Sequence, residues 1–192
     1  MKFHTKRGRR LARLMRARAS QPGVGDEAPD DRLLARYVRA AANVPDHGGL
    51  RPWRLVTIRG GQREALGQAI ADASGDRRPS TKPLRAPLLV AVVASLRPDR
   101  YRKAPEWEQL AVAVEVAHGL QLLLAADGWG SMWRSGRIVE TDAVRAFHGL
   151  AESERLLGWL YVGSLPERPK TAHRPALPDT ALRPVEDVAR AD

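Results

Sequence analysis

Three stretches of this chain bring together residue types that could hold a flat, charged ligand. The first is Asn43-Val44-Pro45-Asp46-His47-Gly48-Gly49-Leu50-Arg51-Pro52-Trp53-Arg54, which joins a helical pattern to the strand-like Leu55-Val56-Thr57-Ile58. Glycine lets backbone approach a ligand closely and proline fixes the turn, while Asn43 and His47 add hydrogen-bonding side chains. The second is Gly128-Trp129-Gly130-Ser131-Met132-Trp133-Arg134-Ser135-Gly136, with an aromatic, a guanidinium and a hydroxyl in sequence. Its Gly-x-Gly follows a helix, whereas a dinucleotide fingerprint follows a strand. The third is Arg18-Ala19-Ser20. A guanidinium can grip a phosphate dianion through two parallel charge-assisted hydrogen bonds, and a serine hydroxyl or free amide can complete the contact. Each has a plain structural alternative: Arg18 as one more surface arginine, His47 as a loop histidine satisfied by backbone, Trp53 as core packing at a strand start.

A fourth segment, Pro105-Glu106-Trp107-Glu108-Gln109, opens a long helix. Glu108 suits the positive end of the helix dipole, so the segment reads as capping and packing, with Trp107 a candidate for lining a substrate pocket. The rest of the chain offers little side-chain catalysis. It has no cysteine, which excludes disulfides, thiolate metal sites, iron–sulfur clusters and a thiol nucleophile. Its five histidines, at positions 4, 47, 118, 148 and 173, are scattered, with no metal spacing, Ser–His–Asp set or paired carboxylates. That absence fits a cofactor enzyme, in which the protein supplies binding, orientation and electrostatics.

The elements that must position these segments follow from periodicity. Residues 9–19 place Leu11, Leu14 and Met15 at helical spacing with arginines opposite. Asp30 or Asp31 caps a second helix whose stripe is Leu33, Leu34, Tyr37, Val38 and Ala41. Residues 62–73 read as a helix, and the polar, Pro-bearing 74–86 as a mobile surface segment. Leu88 to Ala94 is a continuous apolar run, expected as a strand covered on both faces. A long helix over 108–127, a short strand over 129–133, a helix over 141–150 capped by Thr141 or Asp142, and a strand over 157–163 complete the domain. Helices separate most strands, which predicts a mixed or parallel sheet wrapped by helices. The expected division is one domain over 1–163, with a basic helix at 1–19, and a proline- and charge-rich tail over 164–192, helical at most over 184–190.

The length of 192 residues and 43% hydrophobic content suit one domain with a proper core. Net charge is +10, and Lys2, Lys6, Arg7, Arg9, Arg10, Arg13, Arg16 and Arg18 supply most of it with no acid among them. That start reads as a solvated helix face, with attraction to nucleic acid or an anionic membrane as alternatives. It also looks like an organelle transit peptide, a reading disfavoured because Arg18 and Ser20 belong to a site motif. No uninterrupted apolar run approaches bilayer length, no signal-peptide core is present, and the cytoplasm is the expected location.

Taken in order, the four segments resemble the nitroreductase family, whose flavin-embracing loop usually reads Pro-Ser-x-x-Asn-x-Gln-Pro-Trp. The Pro45-Asp46-His47 version and Trp107-Glu108-Gln109 resemble a short, single-domain bacterial branch. The resemblance runs from Leu14 to Gly163. It implies a nitroreductase-like α+β fold: a central mixed sheet wrapped by helices, a long helix buried at a homodimer interface, and a C-terminal extension reaching the partner. It implies FMN between the subunits, bound by Arg18, Ala19, Ser20, Asn43, His47, Trp133, Arg134 and Ser135, with His47 from the neighbouring subunit, no metal and no catalytic side chain. NADH or NADPH would pass hydride to flavin N5, and a nitroaromatic, quinone or similar acceptor would take it in ping-pong turnover. Arg168, Lys170 and Arg174 are tail candidates for the phosphate. The chain departs from the common pattern at Gly49, where asparagine is usual, and at Arg51, where glutamine is usual; Arg51 reads either as reaching the flavin pyrimidine edge or as facing solvent. The departures leave a second reading, an FMN-binding or sequestering protein without reductase turnover. A third, a basic nucleic-acid binder, is disfavoured by 5% aromatics and no helix-turn-helix pattern.

Overall fold

Seven consecutive apolar residues can all leave water only if both faces of their strand are covered. That is the arrangement in the computed structural model, which describes residues 3–97, 104–175 and 181. Strand β2 (Leu88–Ser95) is fully buried from Leu88 to Ala94. Leu88, Val90 and Val92 face helices α2 (Asp31–Ala41) and α4 (Glu106–Ala126), packing with Leu34, Tyr37, Val116, Leu120 and Leu124. Leu89, Ala91 and Val93 face α3 (Gly61–Ser74) and α5 (Asp142–Phe147), packing with Leu66, Ile70 and Val144. The remaining elements are helix α1 (Lys6–Ala17) and strands β1 (Trp53–Arg59), β3 (Trp129–Arg134) and β4 (Glu154–Ser164).

The α+β class holds, but the sheet is not mixed. Its order is β1-β2-β4-β3, and all three ladders pair antiparallel. Two features of the connections explain this. Between β1 and β2 the chain goes out along α3 and comes straight back: Ser80 N–H donates to Gly67 O at 2.9 Å and Arg63 Nη1 to Ala86 O at 2.9 Å. Strand β2 therefore starts beside the end of β1, with Leu88 opposite Arg59. Between β2 and β3 the long α4 does make a crossover, but β4 inserts between the two strands and runs against both. The same bonds correct the expectation of a mobile 74–86: this segment is pinned along α3, with Pro83 buried in a 3-10 turn, Lys82–Arg85.

Helix α2 begins where Asp30 Oδ1 accepts the Leu33 N–H at 2.7 Å. Thr141 stands at the start of α5, but its hydroxyl donates to Ile138 O at 2.8 Å, so it does not cap by side chain. Helix α4 buries one face, Gln109, Val112, Ala113, Val116, Ala117, Leu120, Gln121 and Leu124, at the spacing of a single stripe. On its other side Trp107 and Val114 are exposed. By length and hydropathy α4 is also apolar enough to cross a bilayer, which an inspection of uninterrupted apolar runs misses because Glu115, His118 and Gln121 break it; its inner stripe is packed on the sheet. Helix α1 buries no residue and leaves Leu11, Leu14 and Met15 exposed.

Two polar networks lock the α3–α5 side. His148 is buried; its Nε2 accepts the Trp159 indole N–H at 3.0 Å, so its Nδ1 carries the proton donated to Val144 O at 2.8 Å. Burial lowers its pKa and keeps the ring neutral. Glu154 Oε1 accepts from Arg54 Nε at 2.7 Å and Ser95 Oγ at 2.7 Å, and Oε2 from Arg54 Nη2 at 2.8 Å and Ala151 N–H at 3.1 Å. The Arg54 bonds lead in holding its pKa at about 2 against an ordinary 4.5. Because the folded-state value is the depressed one, this stabilisation is complete above pH 4.5 and is lost as pH falls towards 2. Glu154→Gln should cost about 2 kcal/mol at pH 7, and the loss relative to wild type should shrink in urea titrations at progressively lower pH.

Candidate functional site

Helix α1 ends at Arg18, whose N–H caps Leu14 O at 3.0 Å. The chain then crosses the ends of β3 and β4. Gln21 N–H donates to Ser131 O at 2.9 Å, Gly25 N–H to Ser164 O at 2.9 Å, and Ser164 N–H to Glu27 O at 2.7 Å. The crossing is that close because Gly163 has no side chain: a Cβ there would stand 2.4 Å from Gly25 O. Gly130 likewise makes room for Val24, at 2.9 Å from its would-be Cβ, rather than opening backbone to a ligand. Buried Gln21 next straps the tail, exchanging two bonds with the Lys170 backbone, Nε2 to O at 2.8 Å and N–H to Oε1 at 2.8 Å.

Arg18, Ala19, Lys170 and Thr171 thereby border a cleft of about 1330 Å³ that Trp129, Ser131 and α1 also line, with no carboxylate among the described residues of its wall. Burial, and then the charge of Arg174, lower the pKa of Arg18. Two guanidinia that feel each other's charge make a place that favours an anion. Ser20 is half-buried in the crossing, between Arg18 and Gln21.

Arg134, at the end of β3, belongs to the same end of the molecule. Its Nη2 donates to Pro22 O at 3.2 Å, its guanidinium lies 5.2 Å from the Tyr161 ring centroid, and its buried Nε has no partner. Trp133 packs against the core and gives its indole N–H to Leu157 O at 3.1 Å. That bond sits where β4 bulges, with the register slipping opposite Val92 and Val93. Gly158 makes the turn possible; a Cβ there would stand 2.4 Å from Arg134 O and 2.7 Å from Trp133 Nε1. Ser135 is exposed just beyond.

The loop after α2 lies elsewhere. Asn43 follows Ala41, which abuts Gly119 near the middle of α4, and its N–H donates to Ala40 O at 3.3 Å. His47 reaches the start of α4, with Nδ1 3.8 Å from Glu108 Oε2. Beyond it Arg51 has φ +47°, the one non-glycine with positive φ among the described residues. Asp46 Oδ2 accepts the Arg51 N–H at 2.7 Å, and Arg51 O accepts the Trp53 N–H at 2.8 Å. Such a backbone state costs roughly 1–3 kcal/mol and persists only where the surroundings fix it. Trp53 itself packs on the core, as its place at the strand start suggests.

Arg18 and Ala19 thus border the cleft beside Ala125 and Trp129 at the C-terminal end of α4, Arg134 reaches Pro22 from the far end of β3, and His47 stands at the first turn of α4. Helix α4 is 21 residues long, roughly 30 Å at the rise of an α-helix, and lies between Arg18 and His47. The residues that fasten this site but escape motif reading are Gln21, Asp46, Gly158 and Gly163. A glycine inside a strand pattern signals a bulge or close approach, which makes Gly158 and Gly163 recoverable; Gln21 carries no local signal.

With that geometry established, relatives can be compared. The Nitroreductase family profile matches residues 15–164. This chain belongs to the nitroreductase family. It is 34% identical over 155 residues to the "Putative NAD(P)H nitroreductase YdjA" of Escherichia coli K12, covering 77% of this chain and 84% of that protein. A Haemophilus influenzae protein likewise named as an NAD(P)H nitroreductase is 31% identical over 159 residues, covering 79% and 86%. Among solved structures, a nitroreductase-like family protein from Bacillus cereus superposes with a TM-score of 0.77 at 23% identity, covering 97% of this chain and 99% of that one. A mutant of the FMN- and NADPH-dependent nitroreductase NfnB from a strain written sphigopyxis sp. HMH gives 0.70 at 19% identity, covering 91% and 98%. The two solved structures share this fold. Gly163→Ala should break the Gly25 contact, costing about 1–3 kcal/mol in urea unfolding at pH 7 and raising protease sensitivity of the 20–27 crossing.

Proposed function

We propose that this chain is an FMN-dependent NAD(P)H oxidoreductase working as a homodimer with its cofactor between the subunits. The observation that carries the reading is the cation-lined cleft, without a carboxylate among the described residues, where Arg18 meets the Gln21-strapped tail. Its donor set fits a phosphate dianion: the Arg18 guanidinium as a two-pronged grip, the Ala19 and Ser20 backbone and hydroxyl beside it, and Lys170 and Arg174 as further cations. Arg134, with one buried N–H unpartnered, and Ser135 extend the donors along the edge of β3. Trp133 contributes through backbone position, since its indole N–H is already committed.

The distance between Arg18 and His47 supports the dimer. If two copies pack α4 against α4 in opposite directions, His47 and Asn43 of one copy come to the Arg18 end of the other. Val114 on the outward side of α4 and the exposed Leu11, Leu14 and Met15 of α1 are apolar surface such packing would cover. FMN held there would supply the redox chemistry, taking hydride from NADH or NADPH and passing it to an acceptor such as a nitroaromatic or quinone. The protein's part is to hold the phosphate, fix the ring orientation and supply cations that favour reduced, anionic flavin. The cytoplasm, where both nicotinamide nucleotides are held, is the location this reading assigns.

Purified protein should take up FMN and oxidise NADH or NADPH in its presence; a colourless protein without flavin-dependent turnover would overturn the reading. Arg18→Ala should weaken FMN binding by about 1.5–3 kcal/mol, the worth of a hydrogen bond to a charged group, measured by flavin fluorescence titration. Mixing unfolded Arg18→Ala and His47→Ala chains and refolding them together should restore part of the FMN binding each lacks. No restoration beyond the average of the two would rule out a site shared between copies.

A further inference from the structure

Arg51 is the one non-glycine among the described residues with positive φ, and the donor set assigned to the phosphate does not use it. The loop before β1 uses glycine where positive φ is needed without a side chain, at Gly48 (+67°) and Gly49 (+62°). At Arg51 it keeps positive φ and a long cationic side chain together. Glycine would relieve the strain at that position, so the arginine is held against a local cost, and backbone strain of this kind gathers at ligand sites. The holding is explicit. Asp46 takes the Arg51 N–H, Trp53 donates to the Arg51 carbonyl, and Ser95 N–H donates to Pro52 O at 2.9 Å. The guanidinium is exposed and makes no hydrogen bond or ion pair among the described residues, whereas Arg54, three residues on, is fully engaged by Glu154.

The pedestal stands on a rim with an open aromatic. His47 touches Glu108 in the first turn of α4, and Arg97 N–H donates to Gln109 Oε1 at 2.8 Å, so the loop, the end of β2 and the start of α4 are tied together. In that first turn Trp107 is 67% exposed. The loop that carries Arg51 and the helical turn that carries Trp107 meet through the His47–Glu108 contact, and a cation and a bare indole are the two contacts a flat, negatively charged molecule needs.

We propose that Arg51 selects the electron acceptor, binding the carboxylate or similar anionic substituent of a flat aromatic or quinone whose ring lies towards Trp107. This inference rests on the oxidoreductase reading and adds a substrate class to it. The test uses FMN-loaded protein at low salt and two acceptors alike in shape, 4-nitrobenzoate and the uncharged 4-nitrobenzamide. Binding to the oxidised protein is read by calorimetry, and kcat/KM for each acceptor is measured with saturating NADPH. Wild type should prefer the carboxylate in both measurements, and Arg51→Gln should reduce that preference about tenfold, with Arg51→Lys in between. Trp107→Ala should weaken both acceptors together. The inference is overturned if wild type shows no preference, if Arg51→Gln weakens both acceptors equally, or if it alters only the KM for NADPH. Protein that binds FMN and turns over the amide without preferring the carboxylate would sink the acceptor inference alone; protein that takes up no FMN would sink both.

Discussion

Complete removal of β2 from water is the constraint on which the rest of the structure depends. A strand apolar on both faces has to be roofed twice, and α4 roofs one face along its whole length. Arg18 and Lys170 line a cleft towards the C-terminal end of that helix, and His47 stands at its first turn. Trp107 and Val114 remain exposed on its outer side.

At the Arg18 end, precision comes from backbone crossing backbone. The 20–27 segment can lie across β3 and β4 only because Gly130 and Gly163 leave space, and Gly158 lets β4 bulge beneath Trp133. Cations are then placed by main-chain and amide bonds, Gln21 on Lys170 above all, instead of by carboxylate partners. Two acids are committed inside the fold. Glu154 saturates Arg54 on the α5 side, and Asp46 spends its carboxylate on a backbone N–H. This division leaves positive charge unneutralised along the cleft and at Arg51, where an anion would meet little competition.

The helices and strands were largely legible because their signals are local. Asp30 caps α2 as its position implies, the valine-rich run is a doubly covered strand, and Trp53 packs at the start of β1. The pairing of the strands was not legible. Whether a helix returns the chain to the same or the opposite end of a sheet depends on the path of 74–86 along α3, and on β4 entering between β2 and β3, neither of which leaves a mark in residue spacing. The membrane-length hydropathy of α4 was hidden for a related reason, since isolated polar residues break an apolar run without lowering its average much.

By itself, the sequence determined which elements form and which segments stand as candidates for a site: a thiol-free chain with an arginine–serine corner, a Pro-Asp-His loop and a Trp-Arg-Ser strand end. Those depend on composition and short-range periodicity, which one segment expresses alone. Tertiary structure decided what stands next to what. It separated Arg18 from His47 by the length of α4, assigned Gln21 to the tail, fixed Trp133 on a bulge and held Arg51 in a strained state. Each of these arises where distant segments approach within hydrogen-bonding range, and such approaches are set by how the elements pack around β2.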